Sequence, residues 1–228
     1  MRILQAGLGI IFVICFPILL FTSGVRVAMT QISFWEFLWD RNEVVLLEPV
    51  DRAELTEIAH ELIAYFNAQR GRYIGEQLRQ VFGTDFEVTR LQEIMAAVQR
   101  AYRVQEIILG FVLVFLVIGF GYYKGAFWPK LAKTVIGGSV LTILLLLLMG
   151  GLVIFAFEWF WWEFHEIVWP ESPYWLLYCW HQHNLIRMFP PPGFWFDASV
   201  FLTGGMAAAA LIAGGVAGAY LVIRRERT

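Results

Sequence analysis

Four stretches of this sequence carry no charged side chain and approach or exceed the length that crosses a lipid bilayer: residues 3–25, 107–123, 134–157 and 198–223. A hydrocarbon core needs about 20 apolar residues of helix, and it forces a backbone to satisfy its own hydrogen bonds. A chain with four such stretches is committed to helices before any finer feature is read. Composition agrees: hydrophobic residues make up 59% and charged residues 16%, against roughly 25% charged in a soluble domain. The stretch 107–123 is the shortest and borrows length from the polar helix before it, while Pro17 marks a kink in the first. No A-x-A-like cleavage site follows residues 3–25, and Cys15 lacks the small preceding residue of a lipoprotein signal, so the stretch reads as a retained anchor.

Orientation follows from the cations. All three lysines (Lys124, Lys130 and Lys133) lie between the second and third stretches, Arg224, Arg225 and Arg227 follow the fourth, and Arg2 precedes the first. The two other connections hold more acids than bases. The expectation is an all-α membrane protein built as one domain over residues 1–228. It has four transmembrane helices, both termini cytoplasmic, a long helical first extracytoplasmic loop (26–106) and an aromatic-rich second one (158–197). Trp35 and Trp39 fit an interfacial belt, where an apolar ring keeps a wet N–H.

Charge also excludes functions. With 17 basic and 19 acidic residues the net charge is -2, which leaves no cationic excess for nucleic acid. The absence of charge inside the four stretches denies a proton relay or ion pathway its residues, which argues against a transporter or channel. Two cysteines make neither a disulfide scaffold nor a four-cysteine zinc site. No histidine falls within a span, which argues against a haem or chlorophyll at bilayer depth, and no cofactor is expected. No G-x-S-x-G, phosphate-binding glycine loop or H-E-x-x-H occurs.

In the first outer loop, Asp51 with Glu54 and Thr84 with Glu87 have the spacing of helix-starting capping boxes. Leu55, Ile58, Ala59, Leu62, Ile63 and Phe66 recur at helical spacing, and Glu54, Glu57, Glu61 and Asn67 take the opposite face. The helix that starts at Thr84 carries Leu91, Met95, Val98 and Tyr102 and runs towards the second span. Between the two helices, GRYIGEQLRQVFG is open between a hairpin and a loop.

The second outer loop concentrates the chemistry: it holds His165, His181 and His183, with Glu158, Glu163, Glu166, Glu171, Arg187 and Asp197, among seven of the ten tryptophans. Titratable groups in an aromatic, water-poor setting are costly, which favours a functional use. Blander readings stand beside each. His165 can be an interfacial histidine bonded to a carbonyl, and Glu163 and Glu166 can orient it or be solvated charge. Arg187 can bind a phosphate or carboxylate or pair with a nearby acid. His181 and His183 sit two apart without third and fourth ligands at metal spacing, so no metal is expected. His60 lies in the first amphipathic helix.

The strings FHEIVW (164–169) and NLIRMFPPPGFWFD (184–197), with ELIAYFN (61–67) and the four-span layout, resemble the lipoprotein intramolecular transacylase family. The resemblance implies acyl transfer at the outer face of a bacterial cytoplasmic membrane, from the glyceryl group of a diacylated lipoprotein to its own cysteine amine. It implies His165 as base or relay; Glu166 stands beside it, and on chemical grounds Arg187 or loop amides would position the oxyanion or the lipid carbonyl. Trp161, Trp162, Trp169, Trp175 and Trp195 would line an acyl groove. Its partners would be membrane lipids and the lipoprotein. The family pattern H-M-x-D-V reads RLQEI here, which puts Arg90 at the histidine's place and Glu93 at the aspartate's. His60, His181 or His183 are candidate substitutes. The same departure supports an alternative, a catalytically silent scaffold or accessory subunit of a photosynthetic or respiratory membrane complex.

Overall fold

A computed structural model describes residues 2–42, 44, 51–68, 76–168, 184–189 and 193–226. Among the described residues all regular structure is helical. The elements are α1 (Arg2–Ala28), α2 (Ile32–Asn42), α3 (Arg52–Asn67), α4 (Glu76–Val81), α5 (Asp85–Tyr123), a 3-10 turn (Lys124–Phe127), α6 (Trp128–Val168), α7 (Asn184–Met188) and α8 (Gly193–Glu226). Among the described residues, three helical segments are long and apolar enough to cross a membrane: Gly7–Ala28, Asp85–Ala156 and Gly193–Glu226.

The middle segment reverses direction. In one continuous helix, residues 115 and 127 would stand ~18 Å apart along the axis, whereas the Phe115 and Phe127 rings are 5.4 Å apart. The turn is made by Lys124, a non-glycine residue at φ 48°, the left-handed conformation that ends helices. Lys130 then lies 3.6 Å from the centre of the Tyr123 ring, a cation over an aromatic face at the same turn. The stretches 107–123 and 134–157 are therefore two arms of one helical hairpin. As the sequence suggests, the first arm extends without a break into the helix that begins at Asp85.

The chain forms two compact units. The first comprises Met1–Gly24, Ala101–Gly151 and Leu202–Thr228. Phe12, Phe115 and Phe127 form its aromatic centre, with Phe16, Phe111, Leu131 and Val135 against them. Helices meet in lipid through close packing because tails are as apolar as leucine. Accordingly α6 presents Gly137 and Gly138 to α1: a β-carbon on Gly138 would stand 2.7 Å from Cβ of Phe16. The amide of Gln105 on α5 donates to Ser23 Oγ on α1 at 2.8 Å. α1 stays helical past Pro17, as transmembrane helices tolerate. The one departure from helical dihedrals in α6 is Ala156 (φ -145°, ψ 37°), after which the helix continues to Val168. The stretch that the sequence reading places in the second outer loop thus begins as helix.

The second unit comprises Val25–Arg100 and Leu152–Phe201. Its core gathers Trp35, Leu38 and Trp39 of α2, Leu55, Ile58, Ala59, Leu62, Tyr65 and Phe66 of α3, and Leu91 of α5. Leu78 of α4, Phe82, Leu185 and Met188 of α7, and Phe194 and Ala198 of α8 complete it. Both capping boxes start helices as their spacing requires. Asp51 Oδ1 accepts the Glu54 N–H at 2.8 Å, and Thr84 Oγ1 accepts the Glu87 N–H at 3.2 Å. The apolar face of α3 is inside, with Glu54 and Glu57 exposed. The carbonyls left over at its C-terminus take side-chain partners, since Gln99 Nε2 donates to Phe66 O at 2.8 Å and to Ala68 O at 3.2 Å. Burial pushes the Tyr65 phenol above its ordinary pKa. Within GRYIGEQLRQVFG, Glu76–Val81 is helix rather than hairpin; residues 69–75 lie outside the described residues.

Because α1 and α6 meet at Gly138 without space for a side chain, Gly138→Leu must push them apart. We expect it to cost on the order of 1–3 kcal/mol, read as a lower midpoint of thermal unfolding in detergent than for Gly150→Leu, where a β-carbon meets nothing within 4 Å.

Candidate functional site

The segment that carries Arg187 is α7, five residues long. A helix of that length does not hold itself, because nucleation is unfavourable and few internal bonds form. It is fixed instead by side-chain bonds that link it to other elements. At its N-terminal end, Glu87 Oε1 accepts the Leu185 N–H at 3.0 Å in a buried setting, and Asn184 Nδ2 donates to Val81 O at 3.0 Å. At its C-terminal end, Trp39 Nε1 donates to Met188 O at 3.0 Å, and Trp195 Nε1 donates to Phe189 O at 3.2 Å. The Phe189 ring stands edge-on to Trp35 at 5.4 Å and to Phe194 at 5.2 Å.

Glu87 joins two jobs. Its Oε2 accepts the Thr84 hydroxyl at 2.8 Å and, weakly, the Thr84 N–H at 3.4 Å, while Oε1 holds α7. With 3% of its surface exposed, the carboxylate is kept inside by hydrogen bonds to both oxygens. One turn further on, Arg90 Nη1 meets Glu93 Oε2 at 2.8 Å, with the Arg90 side chain 12% exposed. The two positions where the family pattern has histidine and aspartate thus carry an ion pair.

α8 begins under a second polar cluster. Asp197 Oδ2 accepts from Arg41 Nε at 2.7 Å and from Asn42 Nδ2 at 3.3 Å. Asn42 also donates to Leu38 O at 2.9 Å. Its Oδ1 would stand 2.6 Å from a β-carbon on Gly193, so the first residue of α8 has no room for a side chain.

Arg187 is half-buried. No hydrogen bond or ion pair engages its guanidinium among the described residues. A cation on a backbone held this way, without a carboxylate among the described residues, suits a carbonyl oxygen, an oxyanion or a phosphate.

The remaining expected residues are placed as follows. His165 and Glu166 lie in the last turns of α6, with Glu166 exposed, and Trp161 and Trp162 are on the same helix. His60 is exposed on α3. Trp195 is half-buried against the core of the second unit. His181, His183, Trp169 and Trp175 lie outside the described residues. Among the described residues, no group of three or more histidine, cysteine or acidic side chains could hold a metal ion.

Trp35 and Trp39 differ from expectation. They are not belt residues but core, 3% and 1% exposed. The physical reason is that their N–H groups find protein carbonyls instead of water, Trp35 donating to Ala28 O at 2.7 Å and Trp39 to Met188 O. Glu87 and Asn184 are the site-building residues that sequence reasoning did not assign to a site. The capping box flagged Glu87, but its second partner is 98 residues away.

Comparison with known proteins supplies the family. The profile of the lipoprotein intramolecular transacylase Lit matches residues 10–195. The chain belongs to this family. Its fold is similar to the in meso structure of the membrane integral lipoprotein intramolecular transacylase Lit from Bacillus cereus, with a TM-score of 0.82 over 100% of both chains at 14% identity. A histidine-to-arginine variant of that protein matches at TM-score 0.76 and 13% identity, covering 99% of this chain and 95% of the other. A histidine-to-alanine variant matches at TM-score 0.73 and 16% identity, covering 99% and 96%. No curated protein sequence matches. Family membership and the apolar helices together make this a multi-pass membrane protein.

The Trp39 bond carries an expected outcome. Trp39→Phe fills most of the ring's space but leaves the buried Met188 carbonyl without its donor, a loss of about 1–3 kcal/mol. Thermal unfolding in detergent should fall by several degrees, whereas Phe37→Leu, an exposed change on the same helix, should leave it within a degree or so of wild type.

Proposed function

We propose that this protein transfers an acyl chain within a diacylated lipoprotein, from the glyceryl group to the α-amine of the N-terminal cysteine. Two things support this reading: membership of the transacylase family over residues 10–195, and Arg187 carried on the held backbone of α7 without a carboxylate partner among the described residues. The second is the observation that carries it, because an acyl transfer generates negative charge on a carbonyl oxygen and needs a cation or dipole already in place.

The chemistry is an oxygen-to-nitrogen acyl shift. The cysteine amine attacks the ester carbonyl, a carbon–nitrogen bond forms, and negative charge gathers on the carbonyl oxygen facing Arg187. His165 takes the amine proton. As the ester carbon–oxygen bond breaks, His165 returns that proton to the departing glyceryl oxygen, leaving a lyso-form lipoprotein. Glu166 orients or charges-balances His165, and Trp161, Trp162, Trp169, Trp175 and Trp195 form the acyl groove. Arg90, a guanidinium with donors only and paired with Glu93, offers no acceptor for the amine proton and leaves the proton transfer to His165.

The proposed topology has the hairpin of α5 and α6 crossing twice, which with α1 and α8 makes four spans in one domain. The cytoplasmic membrane is the proposed location, with the lysine-bearing turn and both termini inside, and with membrane lipids and a diacylated lipoprotein as partners. Expression in a bacterial host lacking lipoprotein N-acylation should convert diacylated lipoproteins to lyso-forms, detected by mass spectrometry of the N-terminal lipopeptide. His165→Ala should abolish the conversion and Arg187→Ala should lower it on the order of 10²–10³-fold. Diacylated lipoproteins left unchanged by folded, inserted protein would overturn the reading.

A further inference from the structure

We propose that Glu87 is the positioning residue of this site, holding α7 through the Leu185 N–H so that Arg187 meets the reacting carbonyl; the proposal rests on the transacylase reading above. The argument begins with a mismatch of need and means. A five-residue helix has too few internal bonds to fix its own place, yet its single charged residue, Arg187, is useful only if fixed, since ~1 Å of displacement is enough to forfeit much of a preorganised contact.

Of the four side chains that grip α7 and the residue after it, Trp39 and Trp195 hold carbonyls at its C-terminal end. Asn184 belongs to α7 itself and reaches Val81 O. Glu87 is the one charged partner, it grips a backbone N–H at the N-terminal end, and it is buried. A carboxylate accepting a buried N–H makes a stronger bond than a neutral acceptor would. Its other oxygen is tied to Thr84, so the two oxygens of Glu87 serve different partners. A helix cap alone would need only the Thr84 side of the carboxylate, which makes Oε1 a separable function.

That separability gives the test. The full-length protein is purified in detergent and assayed with a synthetic diacylglyceryl-cysteine lipopeptide, alongside hydrogen exchange of the backbone amides of residues 184–189. Glu87→Ala removes both roles, Thr84→Ala removes only the cap. Glu87→Gln can still turn its amide oxygen to Leu185 N–H and its NH2 to the Thr84 hydroxyl. We expect Glu87→Ala to lower kcat about tenfold with KM little changed and to speed exchange across 184–189 about tenfold. Thr84→Ala should move neither by more than about twofold, and Glu87→Gln should recover most of both. The decisive reading is a cycle: if Glu87 acts through Arg187, Glu87→Ala costs less than about twofold in an Arg187→Ala background.

Losses that multiply in the double variant, equal losses in Thr84→Ala and Glu87→Ala, or unchanged exchange in Glu87→Ala would each overturn the proposal. Should the wild-type protein form no lyso-lipopeptide, the transacylase reading falls. The exchange comparison then decides by itself whether Glu87 holds α7, and unchanged exchange overturns that as well.

Discussion

The backbone between residues 184 and 189 is held by side chains that arrive from α2, α5 and α8. Buried N–H and C=O groups must find partners, and a five-residue helix cannot supply them. Glu87 takes the Leu185 N–H, Trp39 takes the Met188 carbonyl and Trp195 takes the Phe189 carbonyl. Those same side chains form or border the apolar core of the second unit, so its packing and its hydrogen bonding are one problem. Moving α7 would open the core around Leu185 and Met188 and orphan three polar groups at once. That coupling is why so short a segment can hold the backbone that carries Arg187 in place.

The first unit solves a different problem. Where lipid surrounds a helix, apolar burial gives little net drive to association, and contact depends on small residues and a few polar pairs. Gly137 and Gly138 bring α6 against α1, Gly214 of α8 faces Ser139 of α6, and Gln105 reaches Ser23. The hairpin of α5 and α6 closes through Phe115, Phe120 and Phe127. Lys124 makes the reversal at positive φ, where a lysine is an uncommon choice. The cations clustered at the turn are the ones that set orientation in the sequence reading.

Much of this was legible in one dimension. The charge-free stretches gave the helices, both capping boxes start helices where their spacing places them, and the period of Leu55, Ile58, Ala59, Leu62 and Phe66 named the buried face of α3. FHEIVW and NLIRMFPPPGFWFD pointed to the family that the profile match establishes. What misled was local context: Trp35 and Trp39 follow a span and look like belt residues, but their partners are carbonyls, one of them 149 residues away. Glu87 was legible as a cap and illegible as the holder of Leu185 for the same reason.

The sequence by itself determined that this protein is helical, that it belongs in a membrane, and which residue types could carry its chemistry. Those follow from the length and charge of contiguous segments, which need no knowledge of the fold. Only the tertiary structure decided that Arg90 pairs with Glu93, that two tryptophans are core rather than interface, and that Arg187 sits on a helix fixed from both ends. Hydrogen-bond partners distant along the chain leave no periodicity, because their spacing is set by how the helices pack.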